Sequence, residues 1–462
     1  MKKDTIAAIA TALSDSGIGI IRISGENALL TADKIYRSKN GKFHLIHAKS
    51  HTIHYGYIID EKGDILDEVM VSIMLSPKSY TTEDTVEINC HGGVLIMQKI
   101  LELVMKNGAR LAEPGEFTKR AFLNGRMDLS EAEAVMDLIH AQNDLALKSS
   151  IHQLKGAVSK KIKEMRSDVI YEIAFIESAL DDPEHISLSG YPERLSEKIE
   201  KLIYETDHLI ASAEDGKFMK EGIKTVILGK PNAGKSSFLN LISGEEKAIV
   251  TDIAGTTRDI LEEQIRISGV SLNVIDTAGI RDTVDKVEKI GVEKAKNYAK
   301  DADLLLYMVD SSLLLDENDK EIKDIIKNKR TIILMNKSDL ESRVTEEDIR
   351  EFIGNDQIPI IKISAKEATG METFKNLIRS MFFQGEISFE NEVYITSLRQ
   401  KEALIEAKES FLMVKKSLED HMPEDFYSID LMSAYTSLGT IIGEEVSDDL
   451  INEIFSKFCM GK

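Results

Sequence analysis

Apolar and polar positions change rhythm three times along the chain. Up to about residue 118 the apolar runs are short, at Ile18–Ile23, His54–Asp60, Val69–Leu75 and Val86–Asn89. Their length and β-branched content predict strands, and Glu61-Lys62-Gly63-Asp64 between the middle two predicts a hairpin turn. A helix is predicted from Val94 to Lys106, closed by Asn107-Gly108, and Pro114-Gly115 marks a boundary. This part reads as α+β.

From Glu116 to about Asp215 the period becomes helical. Apolar residues fall at Ile151, Leu154, Val158, Ile162, Met165, Val169, Ile173, Ile176 and Leu180, an eleven-residue repeat that keeps one stripe on one long helix. Asp181-Asp182-Pro183 ends it, and a second helix follows from Glu193 to Ala213. From Lys224 to about Phe382, buried-type strands alternate with helices: Thr225–Leu228, Leu272–Ile275, Leu304–Val309, Thr331–Met335 and Ile358–Ile363. Helix returns at Leu398–Leu418, Ile429–Ile442 and Asp448–Phe458. A helix with one apolar face needs a partner. The economical architecture is therefore an α+β domain over residues 1–118, a discontinuous helical domain over 119–215 plus 383–462, and an α/β phosphate-loop domain inserted at 216–382. The alternative is two separate helical appendages.

Composition narrows the class. The chain has 462 residues, 42% of them hydrophobic and 30% charged, as expected of a multidomain soluble protein. No apolar run reaches the ~18 residues of a membrane span, so no membrane partner is expected. Met1-Lys2-Lys3 before Ile6–Ala10 faintly resembles a leader, but Asp4 interrupts it and the stretch is read as mature structure. Two cysteines, Cys90 and Cys459, build no disulfide framework and fit a reducing cytoplasm. A net charge of −21 argues against broad non-specific nucleic-acid binding.

Chemistry enters at Gly229-Lys230-Pro231-Asn232-Ala233-Gly234-Lys235-Ser236-Ser237, flanked by Thr225–Leu228 and by Phe238–Ile242. Strand, glycine-bounded loop and helix is the phosphate-loop pattern. Backbone N–H groups and the helix N-terminus cradle a polyphosphate, Lys235 reaches its β/γ end, and the Ser236 hydroxyl is placed for Mg²⁺. Asp276-Thr277-Ala278-Gly279 follows a later strand, where metal and γ-phosphate are sensed. Asn336-Lys337-Ser338-Asp339 and Ser364-Ala365-Lys366 follow two more. The Asp339 carboxylate can accept from both N1–H and N2–H₂ of guanine, whereas adenine offers no donors there. The motifs together indicate GTP. In the switch stretch Thr251-Asp252-Ile253-Ala254-Gly255-Thr256-Thr257, Thr257 is the better Mg²⁺ candidate and Thr256 its competitor. Ile280 stands where many GTPases have a glutamine, and an aliphatic chain cannot orient water. Glu288 is a candidate substitute, although on residues alone it reads as a solvated helix-end carboxylate.

Gly229–Ser237, Gly255–Asp259, Asp276–Gly279, the N-terminal sheet domain, the split helical domain and the terminal Phe458-Cys459-Met460-Gly461-Lys462 together resemble the MnmE (TrmE) family of tRNA wobble-uridine modification GTPases. The resemblance covers essentially the whole chain. It implies a homodimer formed through the N-terminal domain. It also implies a heterotetramer with the FAD-dependent protein MnmG, which places aminomethyl or carboxymethylaminomethyl groups on C5 of the wobble uridine of tRNA. The one-carbon unit would come from a methylene- or formyl-tetrahydrofolate, held by Arg22, Glu87, Arg126 and Lys462. The resemblance further implies K⁺-dependent pairing of nucleotide domains, with Asn232, Thr251, Ile253 and Thr256 around the cation. It assigns Glu288 to positioning the water and, with Lys235, to catalysis. Cys459 matches a cysteine linked to the modification chemistry, and the competing reading is a free thiol packed near the chain end.

Two other classes compete: a ribosome-assembly GTPase that modifies nothing, and a dimerisation-regulated switch with a vestigial folate pocket. Ribosome-assembly GTPases carry a basic RNA-binding domain after the nucleotide domain. Here Glu386–Lys462 is helical and acid-rich, with Glu444-Glu445 and Asp448-Asp449.

Overall fold

Alternation of inward aliphatic and outward polar residues builds the first sheet, in a computed structural model that describes residues 4–245, 262–267, 269–275, 297–327, 329–383, 392–444 and 446–461. The chain forms two compact units, Met1–Met136 with Gln153–Leu202 and Glu406–Lys462, and Asp137–His152 with Ile203–Ile405.

In the first unit the strands are β1 Ile6–Ile9, β2 Ser16–Ser24, β3 Tyr36–Ser38, β4 Thr52–Ile59, β5 Ile65–Met74, β6 Thr85–Gly92 and β7 Arg110–Leu111. They assemble in the order β3-β4-β5-β6-β2-β1-β7. Ile21, Ile23, Val69, Val71, Ile73, Val86 and Ile88 point to one face and are buried against helices Ala28–Ile35 and Val94–Lys106. Each such side chain contributes about 1.5–3 kcal/mol of transfer free energy. The same alternation puts Arg22 on the opposite face, where β2 pairs antiparallel with β6 and sets Arg22 directly across from Glu87.

The helical stripe is realised from Val158 to Ile176, but its two ends, Ile151 and Leu180, are exposed, and the helix itself is divided. The long helix expected to run through Ile151 and Leu180 is two helices, Asp144–Leu154 and Ala157–Asp181, because Gly156 sits at φ +84° and interrupts the ladder. Val158, Ile162, Met165, Val169, Ile173 and Ile176 are buried. Arg166 on the same helix lies with its guanidinium 3.9 Å from the Tyr435 ring centroid and pairs with Glu444. Gly439, on helix Glu424–Ile442, makes room for it, since a Cβ there would stand 3.1 Å from the guanidinium carbon. Helices from far apart in the chain share one core, in which Leu129, Ala132 and Met136 meet Ile451, Phe455 and Phe458.

In the second unit the strands are β8 Ile223–Leu228, β9 Glu262–Ile267, β10 Val270–Ile275, β11 Leu304–Asp310, β12 Thr331–Asn336 and β13 Ile360–Lys362, ordered β13-β12-β11-β8-β10-β9. All pairings are parallel except β9 on β10 at the edge. The continuous apolar runs divide by parity. Leu304, Leu306 and Met308 pack with Phe238, Phe374 and Phe382 on one face, while Leu305, Tyr307 and Val309 pack with Ile326, Ile349 and Ile353 on the other. Helices on both faces of a parallel sheet make it doubly wound. The strand β9 was not anticipated, because Glu262-Glu263-Gln264-Ile265-Arg266-Ile267 turns only Ile265 and Ile267 inward.

Three passages of chain are stitched together beside this sheet. The Asn143 amide, 4% exposed, donates to the Met219 carbonyl at 3.0 Å and to Ser271 Oγ at 3.2 Å, and its oxygen accepts from Ala146 N–H. Asp137 is held by Lys220 at 2.7 Å and by the Thr396 hydroxyl at 2.9 Å. Gly216, inside helix Tyr191–Glu221, lies so close to the chain at Ile395 that a Cβ would be 2.0 Å from the Ile395 carbonyl oxygen. In a solvated helix, Gly→Ala gains about 0.5–1 kcal/mol of stability. Here the steric term wins, and Gly216→Ala is expected to cost about 1–3 kcal/mol. Thermal denaturation of the full chain tests this, and an unchanged or raised Tm would contradict it.

Candidate functional site

The phosphate loop bridges β8 and helix Lys235–Glu245. Its shape requires small residues at two positions. A Cβ on Gly229 (φ +147°) would meet the Met308 carbonyl oxygen at 2.5 Å, and one on Gly234 (φ +99°) would meet Asn336 Nδ2 at 2.0 Å. Asn232 is exposed at φ +63° between them. The Lys235 ammonium donates to the Gly229 and Lys230 carbonyls at 2.6 and 2.7 Å, so it is held over the mouth of the loop. Ser236 and Ser237 are exposed on the first helical turn, where N–H groups have no intrahelical partner. Loop glycines, a helix N-terminus, an ammonium and a hydroxyl form a donor set suited to a polyphosphate and its divalent ion.

Asn336 has a role that its motif did not announce. Buried at the end of β12, it donates from Nδ2 to the Ala233 carbonyl at 2.8 Å and accepts at Oδ1 from Ala365 N–H at 3.0 Å. One side chain thus joins the phosphate loop to the Ser364–Lys366 stretch. Beside it Lys337, at φ +63°, reaches Asp310 at 2.5 Å. Burial opposes ionisation of Asp310, but Lys337 and Ser312 outweigh it and hold its carboxyl below the usual carboxylate range. The Asp339 carboxylate accepts from the Ser364 hydroxyl at 2.7 Å, which lowers its pKa. The structure therefore gathers Asn232–Ser237, Asn336, Lys337, Asp339 and Ser364–Lys366 at the carboxyl ends of β8, β12 and β13, the usual ligand position in such sheets. Thr251–Thr257, Asp276–Gly279, Ile280, Glu288 and Lys462 lie outside the described residues. Among the described residues no group of three His, Cys, Asp or Glu side chains could hold a metal ion, and no helix is long and apolar enough to cross a membrane.

A second constellation lies on the N-terminal sheet. Arg22 Nε pairs with Glu87 Oε1 at 2.8 Å, with the side chains 15% and 21% exposed. Arg22 also donates from Nη1 to the Gly461 carbonyl at 3.0 Å. Gly461 (φ +84°) packs so tightly that a Cβ would stand 2.4 Å from the Ile9 carbonyl oxygen. Gly461 is thereby seated beside β1 and β2. Arg126 donates to the Tyr80 carbonyl at 2.9 Å and lies 4.6 Å above the Tyr80 ring, while Arg22 is 5.6 Å from the Tyr80 and Phe117 ring centroids. The family resemblance named Arg22, Glu87 and Arg126; Tyr80 and Phe117, which lie beside them, are lone aromatics in polar stretches and carry no periodic signal. Cys459 is exposed, and its carbonyl accepts from Gly115 N–H at 3.3 Å. Cys90 is different, since burial pushes its thiol up to about 11 and leaves it a packing residue.

The description "GTP-binding protein TrmE N-terminus" matches residues 5–126, and "MnmE helical domain" matches residues 129–459. A protein named tRNA modification GTPase MnmE from Lachnoclostridium phytofermentans is 57% identical over 462 residues, the whole of both chains. The chain belongs to the MnmE (TrmE) family. Further MnmE proteins from Clostridioides difficile and Acetivibrio thermocellus are each 49% identical, over 99% and 100% of both chains respectively. These relatives match the chain from end to end, so the similarity spans the N-terminal sheet, the helices and the phosphate-loop sheet alike.

Proposed function

We propose that this chain is a GTP hydrolase that acts in tRNA modification. The observation that carries the reading is full-length similarity, at 57% identity, to a protein named tRNA modification GTPase MnmE. The phosphate loop, the Asn336–Asp339 stretch and the Ser364–Lys366 stretch supply the matching chemistry for GTP with Mg²⁺. In this reading Lys235 and the loop N–H groups bind phosphate, Ser236 and Thr257 hold Mg²⁺, and Asp339 reads guanine. Glu288 orients the attacking water.

The finer reading concerns the one-carbon donor and the cation. Arg22, Glu87, Arg126 and Lys462 form a tetrahydrofolate site, in which the carboxylate accepts pterin N–H donors and the basic groups meet carboxylates. A partly exposed ion pair beside two aromatic rings suits a flat, polar heterocycle. The homodimer works with the FAD-dependent MnmG to modify C5 of the wobble uridine, in the cytoplasm. Comparing wobble-uridine composition of tRNA from cells with and without the protein tests the function, and identical tRNA from both would refute it. K⁺ held by Asn232, Thr251, Ile253 and Thr256 takes over the charge-stabilising role of an arginine finger. GTP turnover is therefore expected to be at least about tenfold faster in K⁺ than in Na⁺, since a smaller ion cannot span the same oxygens. Equal rates in the two salts would remove the cation site.

A further inference from the structure

The stretch that begins with the last residue of β11 touches both ends of the nucleotide site. At its start Asp310, 4% exposed, has both carboxylate oxygens engaged. Oδ2 takes the Lys337 ammonium at 2.5 Å, and Oδ1 accepts from Ser312 N–H at 3.0 Å and from the Ser312 hydroxyl at 2.6 Å. A few residues on, Asp319 (1% exposed) and Asp316 take the Lys230 ammonium of the phosphate loop at 2.7 and 3.1 Å. The buried Tyr307 hydroxyl donates to Asp319 at 2.6 Å. The two loop lysines that could wander are thus each tied to the same short stretch of chain.

Lys337 is held in an unfavourable backbone region at φ +63°, flanked by the Asn336 bonds and by Ser338 N–H on the Ile363 carbonyl at 3.1 Å. A lysine side chain has many rotamers, and ordering one on binding lowers affinity. With its ammonium anchored at Asp310 and its backbone fixed at φ +63°, the four-carbon stem is held at both ends beside the Asn336–Asp339 motif.

We propose that Asp310 is a positioning residue for guanine-nucleotide binding: it touches no nucleotide itself but presets the Lys337 stem as a wall for the base. The inference rests on the reading of Asn336–Asp339 as the guanine motif. Because the wall meets the base and not the phosphates, its loss should affect GTP and GDP alike.

The test is equilibrium titration of the full-length protein with fluorescent GDP and with a non-hydrolysable GTP analogue, for Asp310→Asn, Lys337→Ala and the double variant. Asp310→Asn, nearly isosteric, is expected to raise both Kd values by the same factor, roughly five- to tenfold, the cost of ordering one long side chain. Turnover at saturating GTP should stay unchanged. In the Lys337→Ala background, Asp310→Asn should add nothing, because the two residues act as one unit. Unchanged affinity in Asp310→Asn, or the same loss repeated without Lys337, overturns the proposal. Ser312→Ala, which removes one bond that orients the carboxylate, should shift both Kd values the same way by a smaller factor. It decides the matter if Asp310→Asn does not fold. Asp339→Asn separates the levels. If it keeps guanine selectivity the underlying reading fails; if selectivity is lost while Asp310→Asn binds normally, only the inference fails.

Discussion

Asp339→Asn should lower GTP affinity by about 100-fold or more and shift preference toward xanthosine triphosphate. The carboxylate can accept from two guanine donors, and the Ser364 hydroxyl at 2.7 Å fixes which way it faces. Asparagine offers one acceptor and one donor, so its NH₂ would confront the guanine amino group. The charge-assisted bond to the amino group is lost, the one to N1–H loses its charge, and two donors face each other. At about 1.5–3 kcal/mol per charge-assisted bond, this amounts to roughly 10²–10³ in Kd. Xanthine carries an oxygen where guanine carries the amino group, so the same change gains a bond there. Competition of GTP and xanthosine triphosphate against a fluorescent nucleotide measures the reversal. A variant that still prefers GTP by the wild-type margin would show that Asp339 does not read the base.

The second large effect is expected at Glu87. Glu87→Gln keeps the shape but replaces a double acceptor by one acceptor and one donor, and it leaves Arg22 without its anionic partner at 2.8 Å. Reduced-folate affinity should fall by about 30-fold or more, from one lost charge-assisted pair and one uncompensated guanidinium. The ion pair is partly exposed, so the stability cost should be small, within about 1 kcal/mol. Calorimetric titration with a reduced folate, alongside a thermal melt, separates the two. Wild-type folate affinity in Glu87→Gln would rule out this residue as a ligand contact. A collapse of the melt together with affinity would instead mark the pair as structural.

Much of this was legible in the chain. Helix Val94–Lys106 has the bounds that its apolar spacing and Asn107-Gly108 predicted. The central parallel strands β8, β11 and β12 were readable because each carries a short apolar run buried on both faces. What escaped detection has particular causes. Spacing alone cannot register a backbone dihedral, so the break at Gly156 was hidden inside an unbroken stripe. The edge strand β9 looked polar because only alternate residues face the core. Arg22 and Glu87 are far apart in sequence, and only the β2–β6 register makes them neighbours. Family resemblance named each of them as a folate contact but not as partners; periodicity would have left Glu87 an ordinary strand residue. Asp310 lies one residue beyond the predicted strand Leu304–Val309, and nothing local reveals that Lys337, after the next strand, comes back to it.

The close approach at Gly216 has a consequence for how the gene can be cut. Ile395 N–H also bonds Ser212 Oγ at 3.2 Å, so the chain enters and leaves the stretch 217–394 side by side. A loop whose two ends already touch can be excised, permuted or replaced at little entropic cost. The excised piece would nonetheless be incomplete, for Met219 and Ser271 take their hydrogen bonds from Asn143, which is encoded far upstream. A faithful minimal fragment therefore needs two strips of coding sequence, and a surgeon guided by sequence contiguity alone would leave one of them behind.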